Sequence, residues 1–211
     1  MPPKIKYPKE EVVGAALRVA RRRGIDAVTA QSVAAEMNVS VGPIFTHFDT
    51  VEQLRGAVFL RAKEIYRDYI ERGLAGPVPF LGVGQQYLRF AHEEPELYKL
   101  LFLTRPGGVS GGAMEALRFS QDLARESIMR IYHMDARTAD CYFRDLWLVV
   151  FGFATLIVTD DCPYTDEEMS AVLTEVSLSV CKAYKEIPGL PEGKFDKDTI
   201  FRELVSKHTG G

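Results

Sequence analysis

Over the first fifty positions apolar residues recur at the three-and-four spacing of helices with one buried side. In "PKEEVVGAALRVARRRG" the stripe is Val12, Val13, Ala16, Leu17 and Ala20. Glutamates open this segment, arginines close it and Gly24 stops it, as the helix dipole and a glycine C-terminus favour. Thr29 is placed to cap a second, short helix, "AQSVAAEMN", whose Val33, Ala34 and Met37 face inward. Asn38 follows, a residue that accepts the left-handed backbone of a tight turn. Ser40 is the expected cap of a third helix. Pro43 falls in its first turn, where it breaks no internal hydrogen bond, and Ile44, Phe45 and Phe48 are its apolar members. A long helix is predicted from about Val51 to Leu74, with Leu54, Val58, Ala62, Ile65 and Tyr69 inside. The two short helices are too short to stand alone, so they and the first helix form one trihelical unit.

"AGPVP" (Ala75 to Pro79) breaks the pattern and opens a second region. Two helices separated at Pro95, "FLGVGQQYLRFAHEE" and "PELYKLLFLT", lead to a glycine-rich loop, "RPGGVSGG" (Arg105 to Gly112). Three longer helices are predicted at about Ala113 to Tyr132, Ala136 to Thr159 and Asp166 to Glu186, the last two capped by Asp135 and Thr165. "IPGLPEGKFDKD" reads as a linker to a short terminal helix, Thr199 to Lys207. No alternating run is long enough for a sheet, so the fold class is all-α. The expected division is a helix-turn-helix unit over 1–50, a connecting helix over 51–75, a second helical domain over 76–187 and a tail over 188–211.

Charge sharpens this division. The net charge is −3, but residues 1–50 carry seven Lys/Arg against five Asp/Glu and are net +2, leaving −5 on the rest. A basic head on an acidic body suits a protein that meets nucleic acid through its head alone. Cys141, Cys162 and Cys181 are odd in number and far apart, which argues against disulfides and a zinc site. His92 and Glu96 are one helical turn apart in "HEEPE", a metal-ligand spacing, but no partner motif appears and a solvated helix end is the expectation. The glycine-rich loop lacks the lysine–serine ending of a phosphate loop, so no nucleotide is expected there, and no cofactor or metal is expected in the chain. No nucleophile–base–acid set marks an enzyme. The apolar run Leu146 to Val158 is short for a membrane span and no export leader is evident, so a cytoplasmic protein without a membrane partner is expected.

The stretch Gly24 to Leu54, "GIDAVTAQSVAAEMNVSVGPIFTHFDTVEQL", resembles the DNA-binding head of the TetR family of transcriptional regulators. Thr29, Val33–Ala34, Val39–Ser40, Gly42, His47–Phe48, Glu52 and Leu54 stand in the family's register. Asn38 replaces the usual turn glycine, Phe45 the usual phosphate-binding tyrosine, and Val51 the usual phosphate-binding lysine. The resemblance implies that a palindromic double-stranded operator is held by Thr29, Gln31, Ser32, Ser40, Val41, Gly42, Pro43, Phe45, Thr46 and His47. The reading segment holds no lysine or arginine. Thr46 and His47 offer donors to bases or phosphates, Val41 and Pro43 offer contacts to thymine methyls, and Lys4, Lys6 and Lys9 supply compensating charge from the preceding arm.

In the second region "YLRFAHEEPELYKLLFL" and "LWLVVFGFATLIV" resemble the effector domain of a subgroup with a tryptophan ahead of a histidine–glycine pair, with Phe151 in place of the histidine. A small apolar or aromatic effector would be lined by Tyr87, Phe90, Tyr98, Phe102, Met114, Phe119, Phe143, Trp147 and Phe151. The last two long helices are apolar on more than one side. Ala154, Ile157, Val158, Val172, Val176 and Val180 are therefore expected to pair with a second copy in a four-helix bundle, giving a homodimer. The implied function is a ligand-responsive repressor released from its operator by the effector. The alternative is a helical small-molecule-binding protein of the same type whose DNA binding is weak or lost.

Overall fold

The computed structural model describes residues 7–76, 79–103, 112–159 and 162–206. Lys4, Lys6 and all but the last glycine of the glycine-rich loop lie outside them. Among the described residues there are ten α-helices and no strand. The first, α1 (Lys9–Arg23), buries Val12, Ala15, Ala16, Leu17, Val19 and Ala20, so the inner stripe is wider than the sequence pattern and Val13 is half-buried at its edge. It ends at Gly24, whose φ of 79° is a glycine conformation, and a Cβ there would lie 2.9 Å from Glu96 Oε2.

In α2 (Ala30–Met37) the cap is reciprocal. Thr29 Oγ1 accepts from the Ser32 N–H (3.1 Å), and Ser32 Oγ accepts from the Thr29 N–H (3.0 Å). Asn38 closes the helix in the left-handed region (φ 55°). Its N–H donates to Ala35 O (3.1 Å) and the Val39 N–H to Ala34 O (3.0 Å). The next helix, α3 (Gly42–Phe45), is a single turn. Its N-cap is Val41 and not Ser40: the Ile44 N–H bonds back to Val41 O (3.1 Å), and no side chain caps the turn. Pro43, with no N–H to satisfy, is what lets so short a turn begin without one.

The connecting helix α4 (Val51–Leu74) is capped by Thr50, which accepts from the Gln53 N–H at 3.2 Å. It belongs to both regions. Near its start Arg55 donates to Val28 O (3.0 Å) and Asp26 O (2.9 Å), tying it to the head. Near its end it crosses α5 (Pro79–Glu93) so closely that a Cβ on Gly82 would stand 2.5 Å from Gly73 O. Between these points Tyr66 is 1% exposed at the centre of the body, while Ile65, expected inside, is half-buried. The tyrosine wins the core position because its hydroxyl has a buried partner, Ser120 Oγ at 2.7 Å.

After α5 come α6 (Pro95–Tyr98), a π-helical turn (Lys99–Leu103), α7 (Ala113–Tyr132), α8 (Ala136–Val158), α9 (Asp166–Glu186) and α10 (Lys197–Ser206). Helices α5 and α7 pack on α4, α8 packs on α5 and α7, and α9 packs on α8 and α5. Taken whole, α8 is long and apolar enough by length and composition to cross a membrane, and 39% of its most apolar 18-residue stretch is buried within the chain. Arg137, Asp140, Arg144 and Asp145 on the same helix fit a protein surface better than lipid. The residues of α8 expected at a dimer seam are placed otherwise. Ala154, Ile157 and Val158 are buried in the chain's own core, on a helix packed against α5, α7 and α9. Val172, Val176 and Val180 are half-buried on α9. The outward apolar positions are Leu148 (56% exposed), Leu178 (67%) and Gly152, with nothing within 4 Å of where its Cβ would be.

Candidate nucleic-acid interface and effector cavity

The surface around α3 is built from short side chains on a rigid corner. Gln31, Ser40, Gly42 and Thr46 are exposed, as are the apolar side chains Val41 (40%) and Phe45 (49%). Pro43 is half-buried beside them. An exposed valine and phenylalanine on one helical turn, flanked by hydroxyls and an amide, present methyl and ring contacts for thymine and polar contacts for phosphates. Four expected contacts are already engaged within the chain, the first being Thr46, whose hydroxyl donates to Gly42 O (3.1 Å). The Thr29 and Ser32 hydroxyls make the cap of α2, and that of Ser32 also donates to Ala27 O (2.7 Å). His47 is half-buried with Nε2 2.7 Å from Tyr7 O, so it anchors the arm instead of facing outward. That bond brings the start of the arm to the reading turn. Lys9, just beyond, lies over the Phe48 ring at 5.1 Å.

The arginines that end α1 hold the corner together. Arg18 (2.7 Å) and Arg22 both pair with Glu36 on α2, and their hydrogen bonds, Arg18 first, hold its carboxyl below the usual range. Arg21 reaches across to the body and grips Glu94 with both ends of its fork, at 2.8 and 2.6 Å. "HEEPE" is thus the seam between head and body and not a solvated helix end. Glu93 accepts from Tyr69 (2.5 Å) and Arg89 (2.7 Å), and Glu96 pairs with Lys99 (2.8 Å). His92 turns away to within 3.8 Å of Asp166 Oδ1. Among the described residues no three His, Cys, Asp or Glu side chains are grouped to hold a metal.

In the body a cavity of about 150 Å³ lies between α4, α5, α8 and α9, and Tyr132 at the end of α7 also lines it. Of the expected lining, Tyr87, Phe143 and Trp147 face it. Phe90, Tyr98 and Phe102 lie behind it, around Tyr66, with Tyr98 stacked on Phe102 at 4.6 Å. Phe151 stacks on Trp147 (4.8 Å) from outside the lining. Phe119 is half-buried under the cations of Lys63 (4.6 Å) and Arg67 (5.4 Å), and Met114 is 61% exposed on the first turn of α7, clear of the cavity. Sequence reading missed Phe80, Val83 and Gly84 on α5 and Leu173 and Ser177 on α9. The helical spacing of Phe80, Val83 and Tyr87 carried a signal for the α5 wall. Nothing in α9 separated Leu173 from its neighbours.

Burial raises the tyrosines around this space. Tyr66, Tyr87 and Tyr142 are all held protonated well above the usual phenol range, with loss of hydration the largest cause in each.

A short helix-turn-helix head joined through one long helix to a larger helical body with an apolar cavity defines a class of DNA-binding regulators. Residues 12–58 match the family model of bacterial regulatory proteins of the tetR family, and residues 80–178 match that of the tetracyclin repressor-like C-terminal domain. The chain belongs to the TetR family and is a DNA-binding transcriptional regulator. It is 25% identical over 176 residues, 82% of this chain and 79% of the relative, to an uncharacterized HTH-type transcriptional regulator of Mycobacterium tuberculosis. A crystal structure of a tetR-family transcriptional regulator from Streptomyces coelicolor has the same fold (TM-score 0.63, 18% identity, covering 95% of this chain and 96% of that one). A second TetR family member, from Streptomyces coelicolor A3, matches at TM-score 0.55 and 25% identity, over 80% of this chain and 98% of its own.

Proposed function

We propose that this chain is a cytoplasmic, homodimeric repressor whose grip on a palindromic operator is released by a small, mainly apolar effector bound between α4, α5, α8 and α9. The observation that carries this reading is the continuity from cavity to head. Tyr87 forms the cavity wall and lies edge-on to Phe102 and Tyr98. Those two rings belong to α6 and the π turn, and α6 begins at the Glu94 that Arg21 holds. Displacing the wall therefore acts on the body end of the head's main ion pair. Dimerisation is supported by the apolar strip that one chain leaves open, Leu148, Gly152 and Leu178 with half-buried Val172, Val176 and Val180. A two-fold pair would set two heads against successive major grooves about 34–36 Å apart. Effector binding lowers operator affinity only to the extent that the effector prefers the head spacing that does not fit DNA.

The head supports a weak single grip and a usable paired one. On the exposed face Gln31, Ser40, Val41, Gly42, Phe45 and Thr46 are the contacts, with Lys4 and Lys6 adding charge. A second reading, a small-molecule-binding protein with little DNA affinity, is favoured by Phe45 and Val51 standing where phosphate contacts are expected. Salt-dependent binding to the DNA flanking the chain's own gene separates the two. Retention that falls steeply as salt rises supports the repressor, and equal weak binding to that DNA and to random duplex supports the second reading.

A further inference from the structure

The cavity wall limits what can enter it. Its lining contains no Asp, Glu, Lys, Arg or His, so an ion inside would lose its hydration without a counter-charge. Its hydroxyls are already committed. Tyr66 bonds Ser120, which donates on to Ala116 O (2.7 Å), and Tyr87 bonds Tyr98 (3.4 Å). Ser177 bonds Tyr142 (2.6 Å), against which the Tyr132 hydroxyl also rests, and Thr174 donates to Ser170 O (2.9 Å). Trp147 lines the cavity, and its Nε1 is buried and has no hydrogen-bond partner. The other such atom among the described residues, Gln86 Oε1, is an acceptor outside this lining. A buried N–H left unpaired costs stability, and such groups in native proteins call for an explanation. Trp147 is a donor only, so what satisfies it must bring an acceptor.

We infer that the effector is an uncharged single-ring aromatic molecule carrying one hydrogen-bond acceptor, such as a ketone, ester or ether oxygen, and that Trp147 Nε1 is the group that selects it. The inference rests on the proposal that this cavity is the effector site. The size agrees: a dry apolar cavity of about this volume holds a benzene ring. The walls stack well with a ring, since Tyr87, Phe143, Phe80 and the indole itself surround the space. The polar selection comes from a single bond, so a molecule without the acceptor fills the same space but leaves the indole N–H orphaned.

The test uses the full-length chain and three probes of similar shape: acetophenone, ethylbenzene and benzoate. Trp147 is the only tryptophan, so its fluorescence reports occupancy of this site directly. Acetophenone is expected to bind about tenfold more tightly than ethylbenzene, the difference one hydrogen bond to an otherwise unpaired buried donor makes, and benzoate is expected not to bind. In Trp147→Phe, followed by thermal shift, the two neutral probes are expected to bind equally. Bound to the native chain, acetophenone is expected to show its carbonyl stretch at lower frequency than in hydrocarbon, a readout that does not depend on the variant folding. Equal affinity for acetophenone and ethylbenzene with an unshifted carbonyl would overturn the selection by Trp147 while leaving the effector cavity in place. Failure of all three probes to bind would remove the cavity reading and this inference together, and preferential binding of benzoate would overturn the claim of an uncharged ligand.

Discussion

The head and the body of this chain are packed with different materials. Buried positions in the head are mostly small and aliphatic, such as Ala15, Ala16, Ala20, Ala30, Ala34, Val12 and Val33, and the unit is clamped by polar groups: the Thr29–Ser32 cap and the Glu36 pair with Arg18 and Arg22. The body is packed with rings, from Tyr66 at its centre through Tyr87, Phe90, Tyr98, Phe102, Tyr142 and Trp147. Alanines let α1 and α2 approach closely and leave no room to adapt, so the head acts as one block. Interlocked rings around a cavity leave alternatives of packing that a ligand can select. On the proposed function, the contrast separates the part that keeps its shape to fit a groove from the part that changes shape when a ligand binds.

The largest expected effect lies where the body needs close backbone approach. Gly82→Ala forces a Cβ against Gly73 O at 2.5 Å, with backbone on both sides, and is expected to cost about 3 kcal/mol, seen as a lower midpoint in urea followed by Trp147 fluorescence. The same change at Gly152, where the space is open in a single chain, is expected to leave that midpoint unchanged or raise it by about 0.5–1 kcal/mol.

Next in size is a difference in pH response. Tyr66, Tyr87 and Tyr142 keep their protons in the folded body above the ordinary value of 10.0, whereas the unfolded chain gives its protons up there. The folded state then binds more protons than the unfolded one, so the stability of the body falls as pH rises above about 10. The head is sensitive at the other end. Glu36 is lowered from 4.5 by its two arginines, so its contribution is complete above that value and is lost as pH falls through the lower, folded value. Glu93, held down by the Tyr69 hydroxyl and then by Arg89, gives the seam the head's behaviour. Trp147 fluorescence against pH reports the body, and amide exchange in α2 reports the head. Loss of both at one pH would break the comparison.

A smaller effect is expected at the seam itself. Glu94→Gln leaves both units folded but weakens the fork from Arg21, and is expected to reduce several-fold the change in DNA affinity that a bound ligand produces, with cavity affinity unchanged. The smallest is at the arm: Lys4→Ala with Lys6→Ala is expected to flatten the salt dependence of DNA binding by about one unit of slope for each phosphate the arm no longer neutralises, measured by anisotropy at several salt concentrations.

Much of the fold could be read from the sequence because its signals are local. Asn38 closes α2 in the left-handed turn its side chain tolerates, and Thr29, Asp135 and Thr165 each cap the helix they precede. The helix of Val51–Leu74 has the ends that its spacing gave. What could not be read depends on contacts between distant positions. Ser40 and Val41 are equally placed to begin a turn until the hydrogen bonds are seen, and Tyr66 outranks Ile65 only because Ser120 is opposite it. Ala154, Ile157 and Val158 belong to the chain's own core because α5, α7 and α9 all pack on α8, which one helix's apolar pattern cannot reveal. Three of the nine expected wall residues, Phe90, Tyr98 and Phe102, lie one layer behind the cavity for the same reason. Aromatic composition locates the ring cluster but not which rings leave a gap.

The central claim is that a molecule in the ring-lined body controls a rigid head in a two-fold assembly on DNA. Sedimentation of the full-length chain with labelled duplex from the region flanking its own gene, with and without saturating acetophenone, tests it most directly. The expected result is two chains per duplex without the ketone, and free duplex beside an intact dimer with it. A single chain on the duplex, or a complex that persists when Trp147 fluorescence reports the cavity full, would contradict the account.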